Sequence, residues 1–243
     1  MRLWAALLGT VLAWPVAAAN LPKLVEPVLH LAPSAPGITR VALTFDACDG
    51  AVDRRILDVL EQDSIPATIF VTGKWLTRNR AAFAELRARP DLFEIEDHGA
   101  RHLPAVDFPI QVYGLQAAGS PAAVLQEARG GSQAIAAAGG AAPHWFRGAT
   151  AKYDASAMAL IRGLGLEIAG YSLNGDQGAS LPAAQVARRI AAAADGDVIL
   201  THINQPHRPA GAGVVAGIAA LRARGVIFVR LEDAIGFGRG GRV

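Results

Sequence analysis

The sequence predicts an α/β fold in which helices cover a parallel β-sheet. Six short apolar runs alternate along the chain with six longer stretches whose apolar residues recur at helical spacing. This alternation is typical of a parallel sheet, either closed as a barrel or open as a doubly wound sheet. The 243 residues, 52% of them hydrophobic, are sufficient for one such domain. In both arrangements, ligands bind beyond the C-terminal ends of the strands.

The predicted strands are short and apolar, as expected of buried strands in a parallel sheet. They cover residues 40–45, 67–72, 92–96, 167–173, 197–202 and 226–231. The predicted helices lie between them and cover residues 53–63, 79–89, 121–139, 154–165, 182–194 and 214–225. The longest irregular segments are residues 103–120 and 204–213, and loops of this length often line a site.

The N-terminal segment has the pattern of a secretory signal peptide. Arg2 precedes an apolar run over residues 3–16, and three alanines at 17–19 suit a cleavage site. The run is short for a membrane span, which needs about 20 residues. We therefore expect residues 1–19 to be removed and the mature protein to be exported, periplasmic or secreted, with no membrane span. An uncleaved anchor is the alternative. A Pro-rich lead-in over residues 20–37 then precedes a single domain over residues 38–243.

Composition argues against a nucleic-acid-binding protein and against one stabilised by internal disulfides. The formal net charge is only +2, and the arginines are scattered along the chain, which argues against a nucleic-acid partner. The single cysteine, Cys48, cannot form an internal disulfide, so the stability of the domain must come from packing.

Polar residues with catalytic potential recur at five strand ends, where Arg147 ends the segment "HWFR" and His202 ends its own strand. They are Asp46 and Asp49, His98 and His102, Arg147, Asp176, and His202. Because the carboxyl ends of parallel strands meet at one edge of the sheet, we expect these side chains to lie close together. One such residue at a strand end would mean little, but packing alone does not explain candidates at five strand ends.

The spacing of His98 and His102 allows one helical turn to direct both imidazoles at one metal ion. A catalytic zinc site needs a third protein ligand and an open position for water, and a carboxylate from residues 46–53 could supply that ligand. Taken alone, the pair could instead be two solvated or capping histidines. Asp46 could likewise accept backbone hydrogen bonds in a turn, and Asp53 could be a helix N-cap.

The remaining candidates also have ordinary structural interpretations. Cys48 is more simply read as a small buried residue at a strand end, although it could be a nucleophile paired with a histidine. His202 ends an apolar strand, where it could be a core histidine or a group placed for proton transfer. Arg147 and Asp176 could form one salt bridge, or each could orient and tune a separate acid or base.

Taken in order, these segments resemble the five motifs of the polysaccharide deacetylase family, carbohydrate esterase family 4, over roughly residues 38–235. "TFDACDG" resembles the first motif, Thr-Phe-Asp-Asp-Gly, and "HGARH" is similar to the second, which contains two histidines. "FRGATAKYD", "YSLNGDQG" and "LTH" resemble the third, fourth and fifth motifs. The resemblance implies a distorted, incomplete (β/α) barrel.

The resemblance also implies roles in proton transfer for four residues. Asp46 corresponds to the general base and Arg147 to the arginine that orients it. His202 corresponds to the general acid and Asp176 to the aspartate that tunes it. In addition, the backbone N–H of Thr150 is expected to stabilise the oxyanion.

A divalent metal is the implied cofactor, Zn²⁺ first, with Co²⁺ or Ni²⁺ as alternatives. His98 and His102 match the metal-binding histidines of the family. The family's metal-binding aspartate directly follows the base, but this chain has Ala47 there. We therefore expect Asp49 or Asp53 to be the third ligand.

The implied substrate is an N-acetylated, or O-acetylated, glycan, from which a metal-activated water would remove the acetyl group. Two alternatives remain open. The displaced metal aspartate and the missing aromatic residues are compatible with a glycan-binding pseudoenzyme: Ala149 and Thr150 stand where the family has a Pro-aromatic pair, and no tryptophan follows Asp176. A cysteine hydrolase centred on Cys48 is the other alternative.

Overall fold

The computed structural model describes residues 22–235. The expected signal peptide, residues 1–19, therefore lies outside the described residues. Among the residues that are described, no helix is both long and apolar enough to cross a membrane.

Ten strands and eight α-helices form the described chain. The strands are β1 (Arg40–Ala47), β2 (Ala67–Val71), β3 (Phe93–Asp97), β4 (Gln111–Val112), β5 (Leu115–Gln116), β6 (Trp145–Phe146), β7 (Glu167–Ile168), β8 (Leu173–Asn174), β9 (Val198–His202) and β10 (Ile227–Val229). The helices are α1 (Arg54–Gln62), α2 (Gly73–Arg78), α3 (Arg80–Ala88), α4 (Pro121–Ala137), α5 (Ala155–Arg162), α6 (Ala183–Ala191), α7 (Ala210–Ala223) and α8 (Leu231–Ala234). A 3₁₀ turn covers Ala149–Ala151.

Eight of the strands form one parallel sheet in the order β7-β6-β3-β2-β1-β9-β8, and β10 pairs with the first residues of β1. The sheet curls into part of a barrel, and no pairing joins β7 to β8 within residues 22–235. The expectation of a distorted, incomplete (β/α) barrel is confirmed. Strands β4 and β5 form a separate antiparallel hairpin.

The alternation of side chains along β1 assigns its residues to two faces. The odd-numbered residues within 41–47 belong to the large hydrophobic cluster that the sheet shares with helices α1, α6 and α7. Ala42 belongs to a second cluster on the opposite face, and Thr44 and Asp46 hydrogen-bond to Arg147. This second face carries the polar residues at the end of the strand. Burial of each large apolar side chain stabilises the fold by about 1.5–3 kcal/mol.

The region predicted as one strand over residues 167–173 is instead two short strands, β7 and β8. The lead-in explains the interruption, because a Cβ on Gly170 would lie 2.2 Å from the carbonyl oxygen of Pro27. The lead-in continues across the domain with isolated β-bridges that pair Val25 with Tyr153 and His30 with Asp197.

Helix α7 begins at Ala210, four residues before the predicted start. Its glycines allow a close contact with α6 rather than forming a loop. A Cβ on Gly213 would lie 2.3 Å from the carbonyl oxygen of Ala183, and a Cβ on Gly217 would lie 2.6 Å from Cβ of Ile190. Helix α2 was not predicted; it begins where the Thr72 hydroxyl accepts a hydrogen bond from the N–H of Trp75.

Candidate active site

The strand ends that carry the polar motifs meet at one edge of the curled sheet. Asp46 and His202 occupy paired positions of β1 and β9. An Asp46 carboxylate oxygen lies 3.1 Å from Arg147 and the other lies 3.7 Å from Nε2 of His98. His202 lies 2.9 Å from Asp176. The side chains from five strand ends therefore form one site.

Arg147 is completely buried, and its guanidinium is fixed by the surrounding backbone and side chains. It donates to Asp46 Oδ1 at 3.1 Å and to Thr44 Oγ1 at 2.9 Å. It also donates to the carbonyl oxygens of Ala169 and Gly170, at 3.3 and 3.0 Å. Every contact is directional, so Arg147 holds the Asp46 carboxylate in one orientation.

Asp46 is 5% exposed and nevertheless ionised. Burial acts to raise the pKa of Asp46, but the positive charges of His98 and Arg147 oppose this effect and the pKa is lowered overall. The carboxylate is therefore available as a proton acceptor at neutral pH.

Asp176 is fully buried and accepts two hydrogen bonds from one residue. The backbone N–H of His202 donates to Oδ2 at 2.8 Å, and Nδ1 of the same residue lies 2.9 Å from Oδ1. Because a carboxylate only accepts, Nδ1 carries a proton. Burial acts to lower the pKa of His202, but the charge of Asp176 raises it well above the ordinary value. The alternative of a salt bridge between Arg147 and Asp176 is wrong, because the two residues hold different partners.

Cys48, His98 and His102 bring three potential metal-ligand atoms within 4.8 Å of one another. Sγ of Cys48 lies 3.5 Å from Nε2 of His98, and the two imidazole centroids are 5.0 Å apart. The histidines do not share a helical turn, because β3 ends at Asp97 and a loop follows it. Nδ1 of His98 donates to the carbonyl oxygen of Arg147 at 2.5 Å, which leaves Nε2 free to act as a ligand.

The structure contradicts the interpretation of Cys48 as a packing residue. Cys48 is part-exposed and belongs to none of the hydrophobic clusters formed by the described residues. Burial acts to raise the pKa of its thiol, but the neighbouring charge of His98 and hydrogen bonds to histidines lower it well below the usual value. The neighbouring imidazoles therefore favour the thiolate form of the sulfur, which faces Nε2 of His98.

Asp49 and Asp53, the two carboxylates expected to complete a metal site, lie outside this cluster. Asp49 forms an ion pair with Arg78 and accepts the N–H of Gly50 at 2.9 Å. Asp53 caps helix α1 by accepting the N–H of Arg55 at 3.1 Å, and it also pairs with the Arg55 guanidinium. The N-cap interpretation of Asp53 is confirmed.

Three side chains that the sequence did not single out fix the loop after β1. Thr72, Asn204 and Asn79 donate, in that order, to the carbonyl oxygens of residues 48–50. Gly50 has a φ of 106°, and a Cβ there would lie 2.8 Å from the carbonyl oxygen of Asn204. This loop is clamped from β2, α2 and the segment after β9, which fixes the direction of the Cys48 side chain.

Glu127, on the buried face of α4, fixes the loop that carries His102. Its Oε1 accepts the N–H of Arg101 at 2.8 Å and of Leu103 at 3.1 Å, on either side of the histidine. His102 itself has a φ of 65°, an uncommon conformation that costs free energy for a residue with a side chain. A Cβ on Gly99 would lie 2.6 Å from the same carboxylate oxygen. The only sequence signal was a charged residue on the apolar face of a helix.

Thr150 lies in the 3₁₀ turn after β6 with a φ of 69°, and its buried hydroxyl has no hydrogen-bond partner among residues 22–235. The expected role of its backbone N–H toward an oxyanion stays a prediction.

Residues 34–169 match the family model for polysaccharide deacetylases. The match spans more than half of the sequence, and the chain belongs to this family. A sequence search of curated proteins gives no significant match.

Solved structures with the same fold include several members of carbohydrate esterase family 4. An acetyl xylan esterase of this family from Clostridium thermocellum, bound to a cobalt ion, is 25% identical, with 80% of this chain and 89% of that chain covered and a TM-score of 0.64. A family 4 esterase from Streptomyces lividans, in complex with acetate, is 23% identical, with coverage of 78% and 91% and a TM-score of 0.61. A family 4 pseudoenzyme from Bacillus anthracis is 17% identical, with coverage of 84% and 69% and a TM-score of 0.65.

Proposed function

We propose that this protein is a metal-dependent hydrolase that removes acetyl groups from an N-acetylated, or O-acetylated, glycan. The observation that carries the proposal is the pairing of Asp46 with His202 across β1 and β9, each with its own buried partner, Arg147 and Asp176. An ionised carboxylate and a protonated imidazole on the same side of a site are the base and acid that hydrolysis of an amide or ester needs.

The donor set beside them fits a divalent cation. Two imidazoles converge with a sulfur, and one of the imidazoles donates its other ring N–H to a carbonyl oxygen, as metal-bound histidines usually do. His98 and His102 would hold the cation, which we propose to be Zn²⁺, with Co²⁺ or Ni²⁺ as alternatives. When bound, the cation supplies Lewis acidity toward the acetyl carbonyl and lowers the pKa of water.

The protein's own residues then account for the proton transfers. Asp46 accepts a proton from the water that attacks the acetyl carbonyl carbon, while Arg147 keeps the carboxylate oriented. The backbone N–H of Thr150 donates to the developing oxyanion. His202 gives the proton on Nε2 to the departing nitrogen or oxygen of the sugar as the bond to the acetyl carbon breaks. Acetate and the deacetylated glycan are the products.

Export is part of the proposal and rests on the sequence. The pattern of residues 1–19 is that of a secretory signal peptide, so the glycan substrate would be met outside the cytoplasm. We place the enzyme in the periplasm or outside the cell.

The test is acetate release by the purified protein from acetylated chitooligosaccharide, acetylated xylan and peptidoglycan. We expect release that stops with a chelator and returns when Zn²⁺, Co²⁺ or Ni²⁺ is added back. Full occupancy by the cation with no acetate release from any acetylated glycan would overturn the proposal in favour of a glycan-binding pseudoenzyme.

One observation favours a second candidate, a cysteine hydrolase. Sγ of Cys48 lies 3.5 Å from Nε2 of His98. Burial acts to lower the pKa of His98, but the Asp46 carboxylate and then Cys48 raise it to about 9, which favours an ion pair between the sulfur and the imidazole. A thiolate beside an imidazolium is the arrangement of a cysteine nucleophile. Activity that resists the chelator and disappears in Cys48→Ser would identify this class.

A further inference from the structure

We infer that Cys48 supplies the third protein ligand of the metal site. Its thiolate would take the coordination position for which the family resemblance implies a carboxylate. The inference rests on the proposed metal-binding role of His98 and His102. It changes the chemical class of the cofactor from any divalent cation to one that prefers sulfur and nitrogen donors.

Strand alternation is the first argument. Ala47 packs into the hydrophobic cluster between the sheet and the helices, so a side chain at position 47 points away from the site. Asp46 faces the site, and Cys48, two residues later, returns to the same side. The residue directly after the base therefore has no access to a metal in this chain, whereas Cys48 does.

Ligand separation is the second argument. In a tetrahedral zinc site with Zn–S of about 2.3 Å and Zn–N of about 2.0 Å, a sulfur and a nitrogen ligand lie about 3.5 Å apart. Sγ of Cys48 and Nε2 of His98 are separated by 3.5 Å, and the ligand atom of His102 lies within 4.8 Å of both. The same loop is fixed by hydrogen bonds to each of its three carbonyl oxygens.

The competing carboxylates are already engaged. The Asp49 side chain is 40% exposed and paired with Arg78, and Asp53 is both a helix cap and an ion-pair partner of Arg55. Asp46 approaches His98 at 3.7 Å, but Arg147 holds it, and it is not a member of the three-donor cluster. Release of Asp46 would leave the fully buried Arg147 guanidinium without its carboxylate partner, and release of Asp53 would remove the cap of helix α1.

Titration of the full-length mature protein with Co²⁺, followed by absorption, tests the inference directly. A cobalt–thiolate bond gives an intense charge-transfer band in the near ultraviolet, whereas carboxylate and imidazole ligands do not. We expect this band in the wild type and in the matched controls Asp49→Asn and Asp53→Asn. We expect Cys48→Ser to lose the band and to bind Zn²⁺ more weakly by more than the ~10–100-fold that follows loss of an outer-shell partner.

Cys48→Asp separates a ligand role from a structural one. An aspartate at this position restores a metal-binding carboxylate, so we expect this variant to bind Co²⁺ with one-to-one stoichiometry but without the charge-transfer band. Circular dichroism of the variants confirms that they are folded.

Three results would overturn the inference: stoichiometric cobalt without the band in the wild type, loss of the cation in Asp49→Asn or Asp53→Asn but not in Cys48→Ser, and no binding of Co²⁺ or Zn²⁺ at all. Its failure is distinguishable from failure of the proposed function. A charge-transfer band with no acetate release would support the ligand and reject the activity, while chelator-sensitive release from a wild type without the band would do the reverse.

Discussion

Asp46 and His202 are neighbours across the β1–β9 pairing, yet each is held by a different buried partner. Arg147 binds the carboxylate from one side, and Asp176 binds the imidazole from the other. The arrangement keeps one group ionised as an acceptor and the other protonated as a donor, since each partner stabilises the charged form of the group it contacts. Two groups with opposite protonation states in one site are what acid–base hydrolysis requires.

Removal of either proton-transfer group should reduce the rate while leaving the fold intact. We expect Asp46→Asn and His202→Gln each to lower kcat for acetate release about 10²–10⁴-fold, because a positioned acid or base contributes about this factor. The measurement is steady-state kinetics on acetylated glycan.

His207→Gln is the matched control, because His207 lies in the loop after the same strand and is exposed. Its rate should equal that of the wild type. A rate for His202→Gln within a factor of two of the wild type would remove His202 from the mechanism.

Arg147 should matter for stability as well as for activity. Substitution by Ala leaves the buried Asp46 carboxylate unpaired and two carbonyl oxygens without a donor, so we expect a loss of about 3–5 kcal/mol in the free energy of unfolding. Urea denaturation measures it. The exposed Arg129→Ala is the control and should stay within about 0.5 kcal/mol of the wild type.

The double variant Asp46→Asn with Arg147→Ala checks the cause of that loss. If the buried charge is responsible, removing it should recover part of the lost stability, and the two effects should not add. Strict additivity would show that the loss comes from packing instead.

The sequence identified the long elements because their hydrophobic periods are unambiguous. Strands β1, β2, β3 and β9 lie within about two residues of the predicted bounds. The errors occurred where tertiary contact overrides local pattern. The lead-in packs closely against Gly170, where the predicted strand is divided into β7 and β8. The glycines of α7 allow close contact with α6 and do not form a loop. Such contacts join segments far apart in the chain, so no local window contains them.

Some of the site residues could be located from sequence motifs, and others could not. Motif order located the residues at the strand ends, including Asp46 and His202. It did not locate the third donor, because choosing Asp49 or Asp53 took account of residue type and proximity in sequence but not of the alternation of side chains along β1, which ends at Ala47, one residue before Cys48. Once the structure shows that Ala47 is a core residue, alternation along the strand favours Cys48. Glu127 offered only the signal of a charge on an apolar helix face, because the backbone N–H groups that it accepts belong to a distant loop.

Glu127 should act as a positioning residue for His102. Replacement by Leu removes the acceptor for two backbone N–H groups beside the histidine, and the unusual φ of His102 then has less support. We expect the affinity for Zn²⁺ to fall about 10–100-fold, as for loss of an outer-shell partner. Competition with a chromogenic chelator measures it.

Glu127→Gln provides the conservative comparison, because the amide oxygen can accept the same two N–H groups. This variant should retain zinc affinity within a few-fold. Equal loss in the Gln and Leu variants would mean that the charge of Glu127, rather than its hydrogen bonds, is what matters.

Asp176 should set the alkaline limit of activity through His202. The Asp176 charge raises the pKa of the imidazole well above its ordinary value of 6.5, so in the wild type His202 keeps its proton, and its competence as an acid, above neutral pH. As pH rises through the raised pKa, the proton and the activity are lost. Asp176→Asn removes the charge while its amide oxygen can still accept from Nδ1, so the pKa of His202 falls and the alkaline limb of kcat/KM moves to lower pH. The pH–rate profiles of the two proteins measure the shift, and an unchanged or higher alkaline limb in the variant would show that His202 is not the acid.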